Sequence, residues 1–127
     1  MLDFNEDMKK LKTVKGYIGA AVLNKAGETL YVDEEGTNSD IVYAASIFND
    51  AFAEIGESSL DIGFSETNML EAATSDGHTF LVKSVKGSTE ASDLVFFSIF
   101  KQSGNVPLAK MVIDRSAVKI IDTLNNL

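Results

Sequence analysis

The segment Gly16-Tyr17-Ile18-Gly19-Ala20-Ala21-Val22-Leu23-Asn24-Lys25-Ala26-Gly27-Glu28-Thr29-Leu30-Tyr31-Val32 holds two strand patterns and the turn between them. Tyr17 to Leu23 is an almost continuous apolar run, the pattern of a strand covered on both faces. Asn24 to Glu28 reads as a turn in which Gly27 takes positive φ, and Thr29 to Val32 as the returning strand of a hairpin. Upstream, Phe4, Met8, Leu11 and Val14 recur at helical spacing among charged residues. They predict an amphipathic helix of about three turns, stopped by Gly16.

Downstream, Asp33 to Gly36 reads as an acidic loop, and Asn38 or Ser39 as the cap of a second helix, with Asp40 favouring the same end. Ile41, Ala44, Ala45, Phe48, Ala51, Phe52 and Ile55 form an apolar stripe suited to lying on a sheet. At about 100° per residue, Asp50, Glu54 and Glu57 gather on the opposite side. The helix ends between residues 56 and 64, with Gly56 and Gly63 as competing stops. Met69 to Thr74 and Thr79 to Val85 read as strands joined by the tight turn Ser75-Asp76-Gly77-His78. In the second of these, Phe80, Val82 and Ser84 point one way and Leu81, Lys83 and Val85 the other. A polar loop, residues 86–93, precedes Leu94 to Phe100, the most apolar segment and the expected central strand. Asn105 then caps a last helix with Pro107 in its first turn, and Val106, Ala109, Ile113, Ala117, Ile120 and Leu124 share its inner face.

At 127 residues with 45% apolar and 24% charged residues, the sequence is expected to form one domain, residues 1–127. With no cysteine there is no thiolate nucleophile, zinc-thiolate site or disulfide, which suits a reducing, cytoplasmic setting. The N-terminal residues Met1 to Asp7 lack the basic segment and apolar run of a signal peptide, and no apolar stretch approaches the roughly 20 residues of a membrane span. The net charge of −8 is uneven: residues 1–76 carry 5 Lys against 15 acids, and residues 77–127 carry 6 Lys+Arg against 4 acids. No Lys or Arg lies between Lys25 and Lys83, so this region repels nucleic acid and anionic lipid alike.

Residues that could carry catalysis are few. No phosphate-binding G-x-x-x-x-G-K-[ST] loop is present, and Gly16 and Gly19 lack the third glycine and the helix-after context of a dinucleotide site; they read as points of close packing. His78 is the single histidine, and with Ser75 and Asp76 in the same tight turn it cannot converge on a substrate as a triad, so it reads as an exposed turn residue. One histidine and no cysteine give no metal cluster. Asp33, Glu34 and Glu35 are consecutive rather than alternating, so they read as a solvated loop, not a calcium site. Arg115, the single arginine, would be the one candidate for an arginine finger in trans, but its mid-helix place near the inner face favours a structural role. The stripe Asp50, Glu54 and Glu57 suits binding by charge complementarity. No catalytic, cofactor or metal residue is assigned.

The order helix, strand, strand, helix, strand, strand, strand, helix resembles the roadblock family of dynein light chains and prokaryotic regulators of small Ras-like GTPases. The likeness runs through Met8 to Leu30, with its "G-x-x-G-A" strand and "D-x-x-G-x-x-L" hairpin, Asn24 standing where Asp is common. It continues in the Ala-rich helix from Ile41 and in Leu94 to Phe100 followed by Gly104-Asn105-Val106-Pro107, where Pro107 replaces a glycine.

The resemblance implies an α+β, roadblock/profilin-like three-layer α-β-α sandwich. Its five-stranded antiparallel sheet carries the second helix on one face and the first and last on the other. It further implies a homodimer joined edge to edge through Met69, Leu70, Glu71, Ala72, Ala73 and Thr74, with second helices packed together. Ile47 and Ala51 are a reasonable seam there, because facing acidic stripes would repel. Tyr43, Asp50, Glu54 and Glu57 are then left for a partner. The function implied is a non-enzymatic regulator or adaptor of a small Ras-like GTPase. The alternatives are a scaffold light chain of a larger motor or signalling complex, or a small-molecule sensor with Phe80, Phe96 and Phe100 lining a cavity.

Overall fold

The computed structural model describes residues 3–127; Met1 and Leu2 of the N-terminal segment lie outside the described residues. Five strands, β1 (Tyr17–Asn24), β2 (Thr29–Asp33), β3 (Met69–Ala73), β4 (Thr79–Val85) and β5 (Leu94–Phe100), alternate with helices α1 (Asn5–Lys12), α2 (Ile41–Asp61) and α3 (Val106–Asn125). The strands form one antiparallel sheet in the order β2-β1-β5-β4-β3. β5 is central because its residues can be apolar on both sides. Leu94, Phe96 and Phe100 pack with Met8, Leu11, Ile113 and Ile120 beneath α1 and α3. Phe97 and Ile99 pack with Ile41, Ala45 and Phe52 beneath α2. The β4 alternation read from sequence holds, Leu81 lying in the first of these cores and Val82 in the second.

Local chemistry explains where the elements begin and end. The two hairpins turn alike: the Asn24 N–H donates to the Glu28 carbonyl and the Gly27 N–H to that of Asn24, as the Thr74 N–H does to His78 and the Gly77 N–H to Thr74. Gly27 has φ +85°, as its place in the turn predicted. Thr74 therefore belongs to the turn and not to the strand. The first helix is shorter than its apolar spacing predicts, eight residues. The Thr13 hydroxyl donates to the Lys10 carbonyl at 2.7 Å and the chain leaves the helix there, yet Val14 stays buried.

The cap of α2 is Asp40, not Asn38 or Ser39. Asp40 Oδ1 accepts the Tyr43 N–H at 3.0 Å, and Glu34 Oε2 accepts the Ile41 N–H at 2.9 Å, so two of the open donors are met by carboxylates. The Ser39 N–H is instead tied to Thr37 Oγ1. At the other end the helix runs past Gly56, which is buried against Thr67, and stops at Asp61 before Gly63. Asn105 caps α3 as expected, its side chain accepting the Leu108 N–H at 3.2 Å.

Candidate functional site

β3 is an edge strand, paired with β4 alone. The ladder bonds beside it, Ser84 N–H to the Asn68 carbonyl and Thr74 N–H to that of His78, fix which residues face inward. By antiparallel alternation, Leu70 and Ala72 bond to β4, while Met69, Glu71 and Ala73 turn their N–H and C=O groups to the open edge. Side chains alternate too. Leu70 packs under α2, and Glu71 reaches the other face, where it pairs with Lys110 of α3 at 2.7 Å. The open backbone groups of Met69, Glu71 and Ala73 along this five-residue strand are a template for another strand.

α2 presents its second surface beside this edge. Phe48 stacks on Phe80 at 4.6 Å and contacts Phe97 at 5.3 Å, so the inner stripe is anchored on the sheet. Tyr43, Asp50, Glu54 and Glu57 lie outward and exposed, Tyr43 at 65%. Among the described residues no ion pair involves these three acids. Ile47, at 47% exposure, lies on one flank of the acids, and Ala51, half-buried, one turn further along that flank. Ile55, read from sequence as a member of the buried stripe, is 42% exposed and extends that flank by another turn. The four-residue spacing of Ile47, Ala51 and Ile55 was the signal for it.

Several other sequence readings change. Asp33, Glu34 and Glu35 are not a uniformly solvated loop: Asp33 is buried at the end of β2, accepts the Tyr17 hydroxyl at 2.6 Å and the Glu35 N–H at 3.1 Å, and lies 3.9 Å from Lys12 Nζ. Glu34 caps α2, and Glu35 pairs with Lys12 at 3.5 Å. Arg115 is exposed rather than inward. Phe80 lies under α2 while Phe96 and Phe100 lie under α1 and α3, so the sheet separates them and they line no common cavity. His78 sits in its turn, Nδ1 3.0 Å from Asp76 Oδ1. The Thr74 hydroxyl, and after it His78, bonds the Asp76 carboxylate and lowers its pKa to about 2.

Burial, and then the hydrogen bond to Asp33, pushes the Tyr17 hydroxyl well above its ordinary pKa; burial pushes Tyr31 to about 12. A tyrosine whose folded pKa is raised keeps its proton while the unfolded chain loses it, so its stabilisation is complete below about pH 10 and falls as pH rises beyond. Tyr17→Phe is therefore expected to cost about 1 kcal/mol at neutral pH, by removing a donor from buried Asp33, and to flatten the alkaline decline. Urea titrations between about pH 7 and 11 read both effects. An unchanged alkaline limb would rule out Tyr17 as its source.

The three helices on two faces of an antiparallel sheet, in the order α-β-β-α-β-β-β-α, define the roadblock fold. No family model and no curated protein matches the sequence. Among solved structures, MglB of Myxococcus xanthus matches with TM-score 0.77 at 16% identity, over 98% of this chain and 96% of that one. A gliding protein, MglB of Thermus thermophilus, matches with TM-score 0.78 at 11% identity, over 98% and 90%. A Roadblock/LC7 domain from Streptomyces avermitilis matches with TM-score 0.72 at 12% identity, over 98% and 97%. The likeness is one of fold. No helix among the described residues is long and apolar enough to cross a membrane.

Proposed function

We propose that residues 1–127 form one domain that acts in the cytoplasm as a homodimeric, non-enzymatic regulator or adaptor of a small Ras-like GTPase. The observation that carries this reading is the open β3 edge beside an exposed, acidic α2 face, on a fold shared with MglB and Roadblock/LC7 proteins. Two copies pair through Met69, Leu70, Glu71, Ala72 and Ala73, with Thr74 at the turn. Their α2 helices meet along Ile47 and Ala51. Tyr43, Asp50, Glu54 and Glu57 then form a paired anionic platform for a basic surface of the GTPase, and the GTPase supplies its own hydrolytic site.

The test is a double charge reversal. Asp50→Lys with Glu54→Lys is expected to weaken binding to the GTPase by at least about tenfold, since like charges then meet across the contact. The dimer should be unaffected. Binding to GTP- and GDP-loaded GTPase from the native host, followed by titration calorimetry, reads the first effect, and light scattering the second. Unchanged affinity would take the acidic face out of the mechanism.

A further inference from the structure

On the opposite side of the molecule, α1 and α3 leave a cleft of about 330 Å³ between them. Val112, Ser116 and Thr13 line it, and Lys9, Lys10, Arg115 and Lys119 rim it, with Glu6 and Asp7 as counter-charges. The ion pairs among the described residues engage Lys12, Lys83, Lys86 and Lys110, but none of the four rim cations. Beside the cleft α3 exposes apolar side chains, Leu108 at 41%, Met111 at 54% and Val118 at 59%. A cationic and apolar surface on a chain of net charge −8 is complementary to a partner that is both apolar and acidic.

The chain itself carries such a surface, with matching spacing. On α2, Tyr43 precedes Asp50 by seven residues and Asp50 precedes Glu54 by four; on α3, Leu108 precedes Arg115 by seven and Arg115 precedes Lys119 by four. Seven residues of helix are about 10.5 Å long. Two helices laid parallel therefore bring the apolar ends together and the opposite charges together in one register, whereas an antiparallel arrangement would set Glu54 on Leu108. We propose that the outer face of α2 in one copy docks head-to-tail on the α1/α3 cleft of a second copy, with Tyr43 against Leu108 and Met111, Asp50 against Arg115 and Glu54 against Lys119. Lys9 and Lys10 close the cleft from the α1 side. The same register puts Glu57 beside Asp122, and this like-charge meeting bounds the contact.

Such a contact is heterologous, joining two different patches, so it propagates into rings or chains rather than closing as a pair. It leaves β3, Ile47 and Ala51 free for the two-fold seam. It also covers the acids assigned to the GTPase, a consequence that rests on the proposed function; copies assembled this way withhold them.

Charge exchange in the full-length chain tests the contact by sedimentation velocity over a concentration series at about 0.1 M salt. There the Debye length is about 10 Å, so the contact acts while remote charges are screened. Wild type is expected to show mass increasing with concentration beyond its basal assembly. Asp50→Lys with Glu54→Lys, and separately Arg115→Glu with Lys119→Glu, should each weaken this increase at least tenfold. The four changes together should restore it, with the wild-type net charge of −8. The first pair lowers net charge to −4, so general charge repulsion predicts stronger association there, the reverse of the expected result. The contact is overturned if wild type does not grow in mass, if either pair leaves the growth unchanged, or if the fourfold variant fails to regain it while circular dichroism shows it folded. Failure of the two-fold seam reads separately, as a basal assembly that is monomeric.

Discussion

Replacing Gly16 with alanine is expected to destabilise the chain by about 3 kcal/mol or more, against about 1 kcal/mol for the same change at Gly27. The two residues have nearly equal dihedrals, φ +86° and +85°, so the cost of forcing a side chain into the left-handed region is shared. What differs is space. A Cβ on Gly27 meets nothing within 4 Å, but on Gly16 it would lie 2.5 Å from the Gly104 Cα. That neighbour is backbone and cannot swing away. Moving it strains the Lys101 N–H bond to the Gly16 carbonyl, 2.7 Å, and the Asn105 N–H bond to that of Lys15, 2.9 Å, which hold the start of α3 against the end of α1. For a domain with a total stability of about 5–15 kcal/mol, the change should lower the melting temperature by roughly 10 °C or more. Thermal denaturation of both variants isolates the steric part. Equal losses would mean that the Gly16–Gly104 approach carries no energy.

That junction illustrates what sequence reading reaches and where it stops. Gly16 was legible as a point of close packing, although the helix it was expected to stop already ends at Thr13, and its contact with Gly104, 88 positions away, has no local signature. Elements with strong periodicity came through intact: the two-sided apolar run of β5, the hairpin at Gly27, the Asn105 cap with Pro107 behind it. The errors fall where a carboxylate chose among backbone donors. Asp33 and Glu34 read as an acidic loop and Asp40 only as favouring the helix start that Asn38 or Ser39 would cap, yet each accepts a specific hydrogen bond, and which donor it takes depends on the path of residues 33–40 over the sheet. Ile55 was misplaced for a different reason. A stripe wide enough to cover a sheet leaves its margins undecided, and only the tilt of α2 determines which margin is buried. The Phe80, Phe96 and Phe100 cavity failed by parity, since one odd step between strand positions sends a side chain through the sheet. For the candidate site, the outward acids were legible in helical spacing, whereas the edge position of β3 was implied only by the family resemblance. The cation-rimmed cleft was not legible, because its residues come from helices about a hundred positions apart.

The two-fold seam itself carries the other large expected effect. Ile47→Asp with Ala73→Pro should convert the proposed dimer to monomer, weakening association by at least about a hundredfold, near 3 kcal/mol. Each change is placed to spare the single copy. Ile47 is 47% exposed, so an aspartate there is solvated in the monomer and becomes costly when a second α2 covers it. Ala73 turns its N–H to the open edge, so proline removes no β3–β4 bond but deletes a donor and thickens the border on which a second strand would align. Light scattering at about 10 μM, where the unaltered chain should have at least twice the chain mass, reads the result. The paired acids distinguish this from a general loss of structure: one copy retains Tyr43, Asp50, Glu54 and Glu57 on an intact α2, so a platform that needs both copies loses the GTPase when the seam opens, and a one-copy site does not. A double variant that stays dimeric would show that the copies do not join through α2 and β3. One that becomes monomeric yet binds the GTPase as tightly as before would keep the seam and end the claim that docking depends on it.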